Sequence, residues 1–402
     1  MSADDDSGES NDSEQLLVPA GRDYPEIREA VRAICRNYPG AYWRGLEDSG
    51  GYATAFVAEL TKAGFLAALI PPEHGGAGLP LRAGGAILEE IHAAGCEGET
   101  CHAQMYMMKM LVGHGTAEQK ARYLPDIANG ALRFQSFGVT EPTSGSDTPN
   151  LKTRAVRDGD HYVVNGQKVW TSRTLHTDLM TLLVRTTPVE GAASRTDGLS
   201  VLLVDVREAL GRGLTIRPID TMVNHQVNEL FFEDMRVPVA NLIGHEGKGL
   251  RHIFDGMNSE RILISHESLG DARFFIEKAV AYARDRVVFN RAIGQNQGIQ
   301  FPIARAYAEW RAADQFVRMA AARFDAGQPC GEEANISKLL SAEAAWNAGE
   351  ACMQTHGGFA IAREYDVERK WRHARIQRIA PISTNLILSY IGHGVLGLPK
   401  SY

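Results

Sequence analysis

The stretch "HYVVNGQKVWTS", residues 161–172, decides the fold, because the character of the chain changes around it. β-Branched and aromatic residues stand on both sides of Asn165-Gly166, which is a strong short-range signal of a β-hairpin. The runs "DLMTLLVRT", "LSVLLVDV", "LTIRPI" and "NELFFEDMRV" follow as short strands separated by polar or glycine-bearing turns. Since no long helix interrupts them, residues 132–245 are predicted to form an antiparallel barrel or sandwich.

The segment before this β-rich region has helical periodicity. Residues 22–131 contain "PEIREAVRAICRNY", "YATAFVAELTKAGF" and "LRAGGAILEEIHAAG", in which apolar residues recur every three or four positions. Thr116, followed by Gln119 three residues later, predicts the N-cap of a further helix, and Gly130 predicts its end. We therefore expect an N-terminal helical domain over residues 22–131.

The segment after it, residues 246–402, is predicted to be a helical bundle. One or two long helices begin near Gly249, and another helix ends at Gly327. The run "EEANISKLLSAEAAWNAGEACMQTHGG" is a third, and the chain from Val367 to Leu396 is predicted to be the fourth. The predicted fold is thus of the α+β class, in the order helices, β-domain, helical bundle.

The bulk composition narrows the class of protein. A chain of 402 residues, 44% apolar and 23% charged, is typical of a globular protein with two or three domains. The net charge of −7 and the lack of a basic cluster argue against a nucleic-acid partner. Residues 1–21 are acidic and polar, which predicts a disordered tail rather than a secretory signal. The five scattered cysteines indicate reduced thiols in a cytoplasmic protein, and no run predicts a membrane span.

Several common catalytic and binding motifs are missing from the sequence. It has no GxGxxG after a strand and no GxxxxGK[ST], so the dinucleotide and nucleoside-triphosphate fingerprints do not apply. It also has no HExxH and no GxSxG, and its thirteen histidines show no metal-ligand spacing. We therefore predict no metal site.

The run "FGVTEPTSGSDTPN", residues 137–150, is rich in groups that present hydroxyls and backbone N–H groups. It is typical either of a polar surface loop or of a cradle for a phosphate or a polar heterocycle. Some twenty residues later, "KVWTS" has Trp170 at a strand end, followed by Thr171 and Ser172. An indole can stack on a flat ring while neighbouring hydroxyls donate to the edge of that ring.

Together these residues resemble the acyl-CoA dehydrogenase family of flavoproteins. Val139 to Asp147 matches the family signature Val-Thr-Glu-Pro, two small residues, Gly-Ser-Asp, and "VWTS" is similar to its Trp-Ile-Thr/Ser. Other family motifs are resembled, in order along the chain, by "IPPEHGGAGL", "FFEDMRVPVANLIGHEGKGL", "RVVFNRAIGQNQ", "QTHGGFA" and "DVERKWRHARI". The resemblance covers residues 22–396. It implies N-terminal helices (22–131), a middle antiparallel β-barrel (132–245) and a C-terminal four-helix bundle (246–402).

The resemblance also implies FAD, and a homotetramer or homodimer in which neighbouring subunits complete each flavin site. On the isoalloxazine side the expected contacts are Val139, Thr140, Ser146, Trp170 and Ser172, with Ser383 and Asn385 closing the site. The residues expected to reach the adenosine and pyrophosphate of a partner subunit's FAD are Arg286, Phe289, Gln297, Gln354 and Gly358. Ser146, Asn258 and Arg261 are expected to contact the substrate.

The family oxidises an acyl thioester between Cα and Cβ: a carboxylate removes the α-proton while hydride leaves Cβ for the flavin. In most members that carboxylate is a glutamate in a Tyr-Glu-Gly-Thr run after the "RHAR"-type motif. Here the aligned residues are Ala380-Pro381-Ile382-Ser383. Pro381 stands in the place of the glutamate and cannot abstract a proton, so the base must come from elsewhere.

The run "NSERILI" resembles the isovaleryl-CoA and long-chain branches of the family, which carry the base on a bundle helix in a Glu-Arg pair. Glu260 lies on the apolar stripe between Met257 and Ile264, so it is predicted to face a shielded cavity with a raised pKa. The alternative is a structural ion pair between Glu260 and Arg261. Adjacent residues on a helix point about 100° apart, which disfavours that pair.

The expected function is therefore the oxidation of a short or branched acyl-CoA to the trans-2-enoyl-CoA in fatty acid metabolism, with electrons passed to an electron-transfer flavoprotein. One alternative is an oxidase or monooxygenase of the same fold that uses oxygen, and another is a non-catalytic flavin-binding relative. A group of methionines either lines an adaptable acyl pocket or packs in the core: Met105, Met107, Met108 and Met110.

Overall fold

The structure is a computed structural model that describes residues 21–192 and 194–400. The predicted acidic tail, residues 1–21, lies outside these residues except for its last position. Within them the chain forms helices up to residue 129, strands and short helices up to residue 243, and long helices from residue 249. The predicted order of helical, β and helical regions is confirmed.

The N-terminal region is built from helices that pack around one apolar core. They are α1 (Pro25–Cys35), α2 (Gly40–Ser49), α3 (Thr54–Lys62), α4 (Leu81–Ala93), α5 (Glu99–His114) and α6 (Ala117–Asn129). The predicted cap of α6 is present, because Gln119 N–H donates to Thr116 Oγ1 at 3.2 Å and Thr116 N–H donates to Gln119 Oε1 at 3.0 Å. Periodicity does not single out α5, since this helix is buried on most sides and has no polar stripe.

The middle region is one sheet. Its strands are β1 (Phe134–Gly138), β2 (Arg154–Asp158), β3 (His161–Ser172), β4 (Leu179–Arg185), β5 (Leu199–Asp205), β6 (Leu214–Pro218), β7 (Val227–Pro238) and β8 (Leu242–Ile243), with a short helix α7 (Val206–Ala209) after β5. The strand order is β6-β7-β3-β2-β4-β5-β8, with β1 beside β4. Most pairs are antiparallel, but β1 and β2 meet β4 in parallel. Among the described residues β6 and β8 do not pair, so the predicted closed barrel is not confirmed.

The predicted hairpin turn at Asn165-Gly166 is wrong. Both residues lie inside β3, and the turn that joins β2 to β3 is Gly159-Asp160. Gly166 lies at a break in the register with β7, and a Cβ there would be 2.5 Å from Thr153 Oγ1. The glycine thus permits a close approach of two strands. A local Asn-Gly pattern does not distinguish this role from a turn.

The C-terminal region is helical, and its first helix is continuous. The elements are α8 (Gly249–Asp285), the two-residue strands β9 (Val287–Val288) and β10 (Arg291–Ala292), α9 (Gln297–Asp325), α10 (Gly331–His356), α11 (Val367–Ile376) and α12 (Thr384–Ser389). The single helix predicted from Val367 to Leu396 is wrong, because α11 stops at Ile376 and α12 starts at Thr384. Pro381 lies in this break; it has no backbone N–H to continue a helix.

Helix α8 is the central element of the molecule. Its 37 residues extend over about 56 Å at the rise of an α-helix. It packs against α4 and α5 of the N-terminal region, β5 of the sheet, and α9, α10 and α11 of the bundle. Among the helices of the described residues, none has the length and apolar character needed to cross a bilayer.

Buried ion pairs join the N-terminal helices to the bundle. The fully buried Arg28 of α1 lies 3.0 Å from Glu89 and 2.9 Å from Glu90, both in α4. Arg273 of α8 lies 2.7 Å from Glu90. Arg318 of α9 lies 3.9 Å from Glu89. Because a buried charge is tolerated only beside a partner, these pairs fix α1 and α4 against α8 and α9.

A second buried pair lies between α8 and α11. Lys370 Nζ is 2.6 Å from Asp271 Oδ1, and both side chains are fully buried. His92 Nδ1 of α4 is 3.1 Å from Asp271 Oδ1, and the Gln377 amide donates to Asp271 Oδ2 at 2.8 Å. Burial alone would raise the pKa of Asp271, but Lys370 and His92 together outweigh it and the pKa is lowered to about 2. Asp271 is therefore held as a carboxylate.

We predict that Lys370→Met lowers the free energy of unfolding by about 3–5 kcal/mol, because it leaves the Asp271 carboxylate buried without its main counter-charge. The measurement is urea-induced unfolding followed by circular dichroism. The control is Arg363→Met, which removes an ion pair of 2.7 Å to Asp48 that also joins the two helical regions but is half exposed. The control should cost about 1 kcal/mol or less. Equal small losses in both variants would contradict the prediction.

Candidate active site

The signature loop, residues 139–147, is held in place by the buried carboxylate of its own Glu141. Glu141 Oε1 accepts from Lys168 Nζ and from Thr153 N–H, both at 2.9 Å, and Oε2 accepts from Lys152 N–H at 2.6 Å. Lys168 Nζ also donates to the Val139 carbonyl at 2.9 Å. The start of the loop is thus bonded on two sides to the neighbouring strands.

The charges of this pair are set by burial and by each other. Burial would raise the pKa of Glu141, but the ammonium of Lys168 and the backbone N–H groups lower it. Burial lowers the pKa of Lys168 to about 8, although Glu141 opposes that shift. The pair is internally satisfied, so it positions the loop and leaves the exposed Ser146 free for other contacts.

Trp170 stands on a bulge of β3. The register between β3 and β7 shifts between Lys168 and Thr171, and Trp170 has a φ of 61°. This left-handed conformation is rare for a bulky residue and is typical of functional positions. The indole is 58% exposed, and the preceding Val169 N–H donates to the Thr140 carbonyl at 2.9 Å. The bulge therefore places the solvent-exposed ring of Trp170 beside the signature loop.

Glu260 lies on the buried face of α8, as predicted. Its residue is 6% exposed, and burial raises the pKa of the carboxyl. The alternative of a structural pair is wrong in its predicted form, because Arg261 Nη1 donates to Asn258 Oδ1 at 2.9 Å and forms no ion pair with Glu260. Among the described residues, the Glu260 carboxylate has no ion-pair or hydrogen-bond partner. It is a desolvated carboxyl group without a fixed counter-ion.

The surroundings of Glu260 contain groups that sequence reasoning missed. His102 and Tyr106 of α5, Lys338 of α10 and Glu267 of α8 all lie close enough to interact electrostatically with it. Burial lowers the pKa of Lys338 to about 8, although Glu260 opposes that shift. The only sequence signal for any of these is that Glu267 follows Glu260 by two helical turns. The others come from different elements.

Lys338 also anchors the segment that contains Pro381. Its buried ammonium donates to the Ile382 carbonyl at 2.7 Å, next to Pro381. Ser383, predicted to close the site, caps α12 by accepting from Leu386 N–H at 3.3 Å, and Asn385 follows in the first turn. The segment is fixed in place without supplying a carboxylate.

The predicted adenosine contacts lie in another part of the molecule. Arg286 follows the last residue of α8, and its guanidinium lies 5.5 Å from the ring centre of Phe359, beside Gly358. Phe289 is 94% exposed. Gln297 begins α9 and Gln354 lies near the end of α10. Arg286 is 26 positions beyond Glu260, or about 39 Å along the helix direction. Within one chain, Arg286 is therefore far from Glu260.

The methionines predicted either to line an acyl pocket or to pack in the core are core residues. All four are at most 4% exposed and belong to the apolar clusters beneath the N-terminal helices: Met105, Met107, Met108 and Met110. A cavity of about 910 Å³ is lined by residues such as Asp220, Met222 and Ile361 and by none of the predicted site residues.

The fold also brings together histidines that are far apart in sequence. His225 Nε2 and His373 Nδ1 each lie 3.5 Å from Glu99 Oε1. Burial would lower the pKa of His373, but Glu97, with Glu47 and Glu99, raises it to about 9. The imidazolium of His373 therefore balances the carboxylates around it. Sequence spacing gives no sign of this cluster, because its members lie on three separate parts of the chain.

Comparison with known proteins gives a consistent family. Three domain models match in succession: the acyl-CoA dehydrogenase N-terminal domain over residues 22–131, the middle domain over 136–235 and the C-terminal domain over 247–395. The acyl-CoA dehydrogenase fadE12 of Mycobacterium bovis is 32% identical over 385 residues, which cover 94% of this chain and 96% of that protein.

Solved structures agree with this assignment. A chain from the structure of the electron transferring flavoprotein of Acidaminococcus fermentans is 27% identical, with a TM-score of 0.86, covering 92% of this chain and 97% of that chain. A glutaryl-CoA dehydrogenase from Mycobacterium smegmatis in complex with FADH2 has the same TM-score of 0.86 at 24% identity, over 97% of this chain and 98% of that chain, which shows the shared fold. The chain therefore belongs to the acyl-CoA dehydrogenase family and is an oxidoreductase.

Proposed function

We propose that this protein catalyses the FAD-dependent α,β-dehydrogenation of a short or branched acyl-CoA to the trans-2-enoyl-CoA, with Glu260 as the base. The proposal is carried by the buried Glu260 carboxylate, whose pKa is raised by burial and which no described residue pairs. Pro381 occupies the loop position of the usual family glutamate. The short or branched acyl group is supported by the similarity of "NSERILI" to the isovaleryl-CoA branch.

FAD is the cofactor that the family implies, and the residues around the signature loop fit it. The exposed indole of Trp170 offers a face for a flat ring, and the exposed hydroxyl of Ser146 offers a donor for a polar edge or a phosphate. Val139, Thr140 and Ser172 lie at the adjoining strand ends. FAD, when bound, supplies the acceptor for the hydride that leaves Cβ.

The residues of the chain then have to hold the thioester and move one proton. A general base works best when its pKa is near the working pH, and burial moves Glu260 in that direction. After it takes the α-proton the carboxyl is neutral, which is the form that a buried position favours. Asn258, held by the Arg261 guanidinium, is assigned to the CoA arm.

A partner subunit and an electron acceptor are also part of the proposal. The separation of about 39 Å between Glu260 and Arg286 along α8 supports a homotetramer or homodimer, in which a partner subunit supplies the adenosine contacts to each flavin. The similarity to a chain from a structure of an electron transferring flavoprotein supports an acceptor of that kind.

We predict that Glu260→Gln retains FAD but no longer bleaches the flavin when an acyl-CoA is added anaerobically, because an amide cannot accept the α-proton. The loss in reduction rate should be at least about 100-fold, the lower range for a general base. Glu277→Gln, the same change at an exposed position of α8, is the matched control and should reduce normally. Normal bleaching by Glu260→Gln would remove the assignment of the base.

We predict that the rate of flavin reduction rises with pH. Only the ionised carboxylate of Glu260 accepts a proton, and burial places its pKa above the ordinary 4.5. The rate should therefore fall as the pH is lowered through this raised pKa and level off above it. Anaerobic stopped-flow mixing between about pH 5 and 9 measures it. A flat profile would contradict the prediction, and Glu260→Asp should keep a sloping profile at a lower rate.

We predict that Lys168→Met weakens flavin binding. The change leaves Glu141 buried without its counter-charge, which costs about 3–5 kcal/mol and loosens the signature loop. The measurement is the flavin-to-protein ratio after gel filtration at low concentration. Lys152→Met, at an exposed position of the same region, is the control and should keep its flavin. Equal flavin content in both variants would show that the pair does not support the cofactor site.

A further inference from the structure

Three side chains that can bind a metal ion meet where the three regions of the chain join. Glu99 begins α5 of the N-terminal region, His225 lies in the connection between β6 and β7, and His373 lies in α11 of the bundle. One oxygen or nitrogen atom of each residue lies within 4.8 Å of the corresponding atoms of the other two. The fold thus places two imidazoles and one carboxylate around a common point, although the three residues are far apart in the sequence.

The distances between these atoms match those around a tetrahedral cation. Bonds from Zn²⁺ to imidazole nitrogen or carboxylate oxygen are about 2.0–2.2 Å long, so two such ligand atoms lie roughly 3.3–3.6 Å apart. His225 Nε2 and His373 Nδ1 are each 3.5 Å from Glu99 Oε1. This separation is longer than an ordinary hydrogen bond between nitrogen and oxygen. The spacing therefore suits a cation shared by the carboxylate and the two rings.

His373 is buried, and both of its ring nitrogens lack a hydrogen bond. The residue is 4% exposed, and neither nitrogen has a hydrogen-bond partner among the described residues. Buried polar groups are almost always hydrogen-bonded, so this ring requires an explanation. A cation bound at Nδ1 supplies a partner on one side. On the other side Nε2 lies 3.3 Å from Glu97 Oε1 and 3.6 Å from Glu47 Oε1, and metal-bound histidines usually direct their second N–H at such a carboxylate.

The charges of the cluster favour a cation beside Glu99. Glu97 lies 2.7 Å from Arg369 and Glu47 lies 2.9 Å from Arg372, so each of these carboxylates has a guanidinium of its own. Among the described residues, the ion pairs of Glu99 are those with the two imidazoles. Burial would raise the pKa of Glu99, but the two rings lower it, so it is ionised. Glu99 is thus the carboxylate of the three that has no arginine beside it.

Both rings can act as ligands. Burial lowers the pKa of His225 to about 3, although Glu99 opposes that shift, so this ring is neutral and has a free lone pair. His373 carries a proton in the metal-free protein; on binding a cation, Nδ1 releases its proton and Nε2 keeps its hydrogen.

A small cavity adjoins the cluster. It has a volume of about 40 Å³, close to the space of one water molecule, and Glu99, His225 and Thr100 are among its lining residues. A water molecule there completes the four ligands of a tetrahedral cation. Arg173 also lines the cavity and opposes further positive charge, but the carboxylates of Glu97 and Glu99, which line it too, outnumber this one guanidinium.

We propose that Glu99, His225 and His373 bind one Zn²⁺ ion, which fixes α5, the β6–β7 connection and α11 to one another. Imidazole suits first-row divalent cations such as Zn²⁺, whereas Mg²⁺ and Ca²⁺ take oxygen ligands. The role of the cation is structural, because its ligands come from three regions of the chain. None of the three side chains is assigned to the substrate or the flavin, so the site does not depend on the proposed dehydrogenation.

The test measures metal binding by the full-length protein after treatment with a chelator and dialysis. Isothermal titration with ZnCl₂ should give one strong site per chain, and titration with MgCl₂ should give none. Zn²⁺ should also raise the melting temperature, because it binds the folded arrangement of the three ligands and not the unfolded chain.

Variants of the ligands identify the site. Glu99→Gln and His225→Gln should each weaken Zn²⁺ binding at least about tenfold, since the loss of a group outside the ligand shell already costs about 10–100-fold. Zn²⁺ should then no longer raise the melting temperature. His161→Gln changes a partly exposed histidine that lies 2.6 Å from Asp160, and this control should bind Zn²⁺ as tightly as the wild type. The two ligand variants are independent, so one is sufficient if the other does not fold.

The outcomes are decisive. If the wild type has no strong Zn²⁺ site, or if Glu99→Gln and His225→Gln bind Zn²⁺ as the wild type does, the proposal is overturned and the cluster is an ion-pair network around a protonated His373. Equal binding of Mg²⁺ overturns the assignment of imidazole ligands. None of these outcomes bears on flavin reduction, which the bleaching of Glu260→Gln tests separately.

Discussion

Carboxylates are buried along one side of α8, and the surrounding helices pack so as to compensate them. Glu260, Glu267 and Asp271 are all nearly or fully inaccessible to solvent. A buried carboxylate is costly unless a counter-charge or hydrogen-bond donor reaches it. The helix therefore requires groups from other elements, and α4, α5 and α11 pack where they can supply them. Electrostatics as well as apolar contact thus holds the two helical regions together.

The three carboxylates differ in how completely they are compensated, and this separates structural from reactive roles. Asp271 has an ammonium, an imidazole and an amide within bonding distance, so its pKa is low and it is inert. Glu267 lies beside the imidazole of His102. Glu260 has no such partner among the described residues, and burial raises its pKa. Of the three, Glu260 is the carboxylate that its neighbours compensate least, which supports the proposal that it accepts the proton.

Much of the fold could be predicted because its signals are local. Helical periodicity located α1, α3, α4 and the bundle helices, and the Thr116 cap was confirmed in both of its hydrogen bonds. The wrong predictions concern local sequence patterns that are compatible with two different tertiary arrangements. Asn165-Gly166 serves a close strand approach rather than a turn, and the last helix breaks at a segment containing Pro381. Local sequence does not distinguish these uses, because neighbouring strands and helices decide between them.

The ordered motifs of the sequence were sufficient to identify the family. The apolar stripe and the absence of the usual loop glutamate are also visible in the sequence, and they indicated Glu260. Only the tertiary structure decided what surrounds that carboxylate. His102 comes from α5 and Lys338 from α10, and whether they meet Glu260 depends on how the helices pack. The raised pKa of Glu260 and the lowered pKa of Lys338 follow from burial, which is a property of the folded molecule and not of sequence spacing.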